Sequence, residues 1–136
     1  MIRLLFFFIL LITGAIDAAT GKIHDISPLL VSMLAIWRLA CDPGSLRSCI
    51  IGFFILSIPM LLLALLRGGL GGGDIKLTAA CGLFLGADAL LTGFFIAALL
   101  ALTVRLTLKL TKKADTKNVF ALGPYLAVGF ILASFL

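Results

Sequence analysis

The stretch RGGLGGGDIKL, residues 67–77, decides how the chain is parsed. Before it runs SCIIGFFILSIPMLLLALL, residues 48–66, and after it LTAACGLFL, residues 77–85, both almost wholly apolar. About 20 apolar residues carry a helix across the hydrocarbon core of a bilayer. Residues 67–77 therefore join two helices that pass through a membrane in opposite directions. Glycine fills five of the six positions from 68 to 73, and they deliver a carboxylate, Asp74, and an ammonium, Lys76.

Composition agrees with that parse. Of the 136 residues 62% are hydrophobic and 12% charged, with no glutamate, and the mean hydropathy is +1.28. A soluble domain of this size has too much surface for its volume to hide so much apolar area. The chain is read as an integral membrane protein, all-α, a polytopic bundle of about six transmembrane helices forming one domain over residues 1–136.

Working outward, the first apolar run is Ile2 to roughly Ala18. The second is Ser27 to Ala40, with Trp37 and Arg38 placed as interface residues. The third is Ser48 to Leu66 with Pro59 as a kink, and the fourth is short, Gly73 to about Leu85. The fifth is Ala89 to about Leu108 and the sixth Val119 to Leu136. The basic residues offer an independent check. Lys22, Arg67, Lys76, Arg105, Lys109, Lys112, Lys113 and Lys117 fall on one side of the membrane, and only Arg3, Arg38 and Arg47 on the other. Positive loops face the cytoplasm, so both termini are expected outside. MIRLLFFFILLITGAIDAA also has the make-up of a secretory signal peptide. Retention as the first helix is the preferred reading, because it leaves an even, charge-consistent set of spans.

The net charge of +5 does not indicate nucleic acid, since the basic residues lie between apolar runs without aromatic interleaving. Cys41, Cys49 and Cys81 form no C-x-x-C pair and His24 is the sole histidine, so neither a metal site nor a cofactor is expected. Free thiols are expected, with a disulfide between Cys41 and Cys49 as the alternative.

Asp17 falls at the inner end of the first helix and Asp74 at the inner start of the fourth, on the lysine-rich side. Ionisable groups at membrane depth are costly and mark function. Two carboxylates at one depth suggest a dyad that shares a proton and activates a water for aspartyl proteolysis. Gly71 and Gly73 then let a substrate backbone approach Asp74, and Lys76 anchors the loop or adds positive potential. Two plainer readings remain beside this one. In one, Asp74 simply caps the fourth helix; in the other, the two aspartates couple ions in a non-enzymatic transporter or pilus-assembly subunit. Asp42, Asp88 and Asp115 are read as solvated, and Asp25 as a helix cap with substrate contact second.

At these residues the sequence resembles the type IV prepilin peptidases, the GxGD aspartyl proteases. GAIDAATGKI, residues 14–23, is similar to their first aspartate segment, although His24 and Asp25 stand where Pro-Asn is usual. GGGDIKLTAACGLFLG, residues 71–86, is similar to the second, and FALGPYLAVG, residues 120–129, to the closing stretch with Gly123 and Pro124. The resemblance implies a catalytic pair Asp17 and Asp74, supported by Gly71, Gly73, Lys76, Gly123 and Pro124. It implies a prepilin or pseudopilin substrate, cut at its leader on the cytoplasmic face of the plasma membrane. Larger members add a cytoplasmic segment with paired cysteines that is associated with methylation, so methyltransferase activity is not expected here.

Overall fold

Each apolar run folds as an α-helix, because backbone N–H and C=O groups in hydrocarbon have no partners but one another. The computed structural model describes residues 1–20, 25–68, 72–111 and 123–136. Among them lie six α-helices: α1 (Ile2–Thr20), α2 (Ile26–Cys41), α3 (Leu46–Arg67), α4 (Gly72–Leu85), α5 (Ala87–Leu110) and α6 (Gly123–Phe135). The bounds match the sequence reading within a few residues. The expected start of the last helix, residues 119–122, lies outside the described residues, as do Lys22, His24 and Asp115. All three cysteines are free thiols.

The six helices are not equal. Only α1, α5 and the continuous Pro43–Arg67 unit that contains α3 are long and apolar enough to cross a bilayer alone. α2, α4 and α6 have 16, 14 and 13 residues. At 1.5 Å per residue α4 is about 21 Å long, short of the roughly 30 Å hydrocarbon core. It can be short because it hardly meets lipid. α4 packs on α2, α3, α5 and α6, and half its residues are buried, among them Leu77, Thr78, Cys81 and Phe84. A helix enclosed by neighbours over most of its circumference has little use for an amphipathic stripe, and α4 has none.

Small residues let the other helices close on it. Gly52 of α3 and Gly82 of α4 meet backbone to backbone, and a Cβ on Gly52 would lie 2.7 Å from the Gly82 carbonyl oxygen. Gly93 of α5 and Gly129 of α6 do the same, with 3.0 Å between a Gly93 Cβ and the Gly129 carbonyl oxygen. Helices in membranes associate by such close packing, since lipid supplies no hydrophobic drive. Phe6 of α1 stacks on Phe84 of α4, centroids 4.2 Å apart, within a core that includes Leu10, Val31, Leu77, Leu90 and Phe130. The outward faces carry exposed apolar side chains such as Phe8, Leu62, Phe95 and Leu99.

Tight joints set the register at one end. Asp42 Oδ1 accepts from the Gly44 N–H at 3.3 Å in the turn between α2 and α3, with Pro43 starting its single 3₁₀ turn. Gly86 alone links α4 to α5, at φ +86°, a conformation that favours glycine. There the Ala87 N–H donates to Ser48 Oγ at 3.2 Å. Arg38 donates to the Phe84 carbonyl oxygen and lies over the Phe84 ring, 5.2 Å from its centroid, which satisfies a carbonyl that the end of α4 leaves open. Pro59 is held within a continuous α3.

Candidate active site

The opposite end of the bundle gathers the last turns of α1, α3 and α5 and the first turns of α2, α4 and α6. Asp17 sits one turn from the end of α1, on the inward face that it shares with Phe6, Leu10, Thr13 and Gly14. Its side chain is 3% exposed. Thr13 Oγ1 donates to the Ile9 carbonyl oxygen at 2.6 Å and so leaves the aspartate to itself. Gly14 brings α6 close: a Cβ there would stand 3.1 Å from Ala127 Cβ and 3.6 Å from Pro124 Cα.

This close approach lays the start of α6 on the carboxylate. The Gly123 backbone N–H is directed at Asp17. The space a Gly123 side chain would fill is occupied by Asp17 itself, whose Cγ would be 2.6 Å from the added Cβ. Gly123 is therefore part of the wall around Asp17, with Pro124 beside it. Asp74 is the third residue of α4, within the helix and not at its cap, and it is half-buried. Thr78 Oγ1 donates to the Asp74 backbone carbonyl at 2.8 Å and leaves the carboxylate unused. The two carboxylates are near enough for the charge of Asp17 to act on Asp74.

Asp17 Oδ2 and Asp74 Oδ1 share a further property. Among the described residues they are the only buried side-chain nitrogen or oxygen atoms without a hydrogen-bond partner. Buried polar atoms are almost always paired, and an unpaired one costs about 1–3 kcal/mol. Among the described residues, a fold that satisfies every other buried polar side-chain atom leaves open these two oxygens, from two helices far apart in sequence.

Lys76 does not join them. Two residues along a helix rotate the side chain by about 200°, and Lys76 Nζ pairs with Asp25 Oδ1 at 3.1 Å on the far face of α4. This corrects the sequence reading of Asp25. It stands at the start of α2 but its side chain makes no capping hydrogen bond, because it is turned to Lys76. No spacing rule connects residues 25 and 76, so only the packing of α2 on α4 could reveal the pair. Gly71 lies outside the described residues, Gly73 is half-buried, and among the described residues a Cβ on Gly72 would meet nothing within 4 Å. No three His, Cys, Asp or Glu side chains gather among the described residues.

The profile of the type IV leader peptidase family matches residues 4–106. The chain is 37% identical over 128 residues to a prepilin leader peptidase/N-methyltransferase of Burkholderia pseudomallei, which covers 88% of this chain and 41% of that protein. It is 37% identical over 133 residues to the Dickeya chrysanthemi protein of the same name, covering 92% of this chain and 47% of that one. For the Bacillus subtilis protein the identity is 33% over 104 residues, 76% of this chain and 39% of the relative. The chain thus spans less than half the length of these curated relatives. No solved structure gives a significant match. The residues matched run from the first apolar helix through most of the fifth, with Asp17 and Asp74 inside them, and the chain belongs to the type IV leader peptidase family.

Proposed function

We propose that residues 1–136 form one membrane peptidase domain that cleaves the leader of type IV prepilins or pseudopilins, with Asp17 and Asp74 as an aspartic catalytic pair. One observation carries this reading: the only unpartnered buried side-chain oxygens among the described residues belong to these two carboxylates, which interact across α1 and α4. A bound water donates to an open carboxylate oxygen, and a protonated carboxyl left free of other partners donates to a peptide carbonyl.

The pair works with one shared proton. The ionised carboxylate takes a proton from the water as its oxygen attacks the scissile carbonyl carbon. The protonated carboxylate gives its proton to the carbonyl oxygen, and a tetrahedral diol forms. On collapse a diol hydroxyl gives its proton to the ionised carboxylate, the C–N bond breaks, and the protonated carboxylate gives its proton to the leaving amine, so the pair again holds one proton. The titration belongs to the pair and neither aspartate has a fixed part. Gly123 keeps the wall beside Asp17 free of a side chain, and Gly71 and Gly73 leave room for the substrate backbone.

The basic residues favour a plasma-membrane protein with this end at the cytoplasm and both termini outside. A prepilin helix lying in the bilayer would then present its leader junction at the same level as the two aspartates.

Asp17→Asn and Asp74→Asn test the mechanism. Asparagine keeps the size of the side chain but cannot exchange a proton. In detergent or vesicles each variant is expected to lose cleavage of a full-length prepilin while keeping the wild-type unfolding profile. Cleavage persisting in both would overturn the aspartic mechanism. A proton flux across vesicles that disappears in both, with no cleavage by the wild type, would replace it with ion coupling.

A further inference from the structure

α4 carries Asp74 and stands in the middle of the other helices. Around it α1 packs on α2 and α6, α6 on α5, and α5 on α3. The ring is left open at one place. α2 and α3 are joined by their turn at the far end but hardly touch each other, and α4 lies behind the gap. The gap is a groove of about 390 Å³. Leu29 and Ser32 of α2 form one wall, Phe53 of α3 the other, and Ala79 and Ala80 of α4 the floor. Its mouth, at the Asp17–Asp74 end, is framed by the Asp25–Lys76 pair.

We propose that this groove seats the apolar helix of the substrate, entering sideways from the lipid between α2 and α3; the proposal rests on the peptidase reading above. Three features select this occupant over a lipid chain or a second copy of the protein. The floor is made of alanines, which let another helix backbone come close, as small residues do between membrane helices. The groove ends at Lys76, within one turn of Asp74, so a chain leaving it is already beside the catalytic end of α4. The mouth pair is exposed at both partners, 60% and 78%, and such pairs part at little cost. An apolar helix with a polar junction meets all of these features at once: apolar walls along the groove, charges at its mouth, and the two aspartates just beyond.

The experiment is photocrosslinking in phosphatidylethanolamine–phosphatidylglycerol vesicles with a full-length type IV prepilin as probe. A benzophenone side chain replaces Leu29 or Ser32, with Phe95 and Leu99 on the lipid face of α5 as controls, in an Asp74→Asn background that prevents turnover. Prepilin adducts at 29 and 32, several-fold above those at 95 and 99, are expected. In otherwise wild-type protein Ser32→Trp fills the groove and is expected to raise KM for the full-length prepilin about tenfold, with a smaller change in kcat. Adducts at 29 and 32 only to lipid or to a second copy, or a KM unmoved by Ser32→Trp, would overturn the groove while wild-type cleavage left the peptidase reading standing. Prepilin adducts without wild-type cleavage would keep the groove and defeat the proteolytic reading. Absence of both would defeat the two together.

Discussion

Replacing Gly123 by alanine probes the contact on which the candidate site is built. The added Cβ would stand 2.6 Å from Asp17 Cγ and 3.1 Å from Asp17 Cβ. Non-bonded carbons rest at about 3.5–4.0 Å, so the start of α6 or the Asp17 carboxylate must give way by about 1 Å. Gly129 of α6, set backbone to backbone against Gly93 of α5, leaves α6 little room to move away as a body. The carboxylate is therefore the part that moves. A misplacement of about 1 Å in a catalytic constellation lowers the rate by on the order of 100-fold, or about 2.7 kcal/mol in activation free energy. Overpacking itself costs about 1–3 kcal/mol of stability. The assay is single-turnover cleavage of a prepilin in vesicles, with thermal unfolding of the same preparation to separate the two effects. A large loss of rate in a protein that still unfolds cooperatively is expected. A folded Gly123→Ala protein that cleaves at the wild-type rate would refute the reasoning, since the reacting carboxylate could not then lie where the alanine intrudes.

Other consequences can be measured on the same material. Gly52→Ala sets a Cβ 2.7 Å from a backbone carbonyl that cannot swing away, and is expected to lower stability by about 1–3 kcal/mol, read as a fall in the unfolding midpoint. Arg38→Met removes the donor to the Phe84 carbonyl and the cation over its ring, and is expected to cost about 1.5–3 kcal/mol, the range for hydrogen bonds to charged groups. Unfolding at the wild-type midpoint would show that Arg38 does not hold the end of α4. Lys76→Gln is expected to change stability by less than about 1 kcal/mol, because both partners of its ion pair are exposed. A larger loss in a salt-independent unfolding assay would place that pair in a drier setting.

Much of this molecule is legible along the chain because the membrane imposes local rules. A run such as residues 48–66 must be helical wherever it lies, since its backbone can be satisfied only within itself. Alternation of direction then puts Asp17 and Asp74 at one end, and the family resemblance at residues 14–23 and 71–86 falls within the matched residues 4–106. Hydrophobicity alone does not separate α4 from its neighbours. Its apolar residues look like a lipid-facing span in sequence, yet they face other helices.

The sequence by itself determined the all-α membrane class, the number and order of the helices, and which acidic residues share a depth, because each follows from transfer into hydrocarbon counted residue by residue. Tertiary structure alone decided that α4 stands at the centre, that Gly123 forms the wall of Asp17, that Asp25 turns to Lys76, and that α2 and α3 part over Ala79 and Ala80. These depend on which faces of the helices meet. Between membrane helices that choice is made by close fit at small residues such as Gly14, Gly52 and Gly82, whose partners lie far away in sequence.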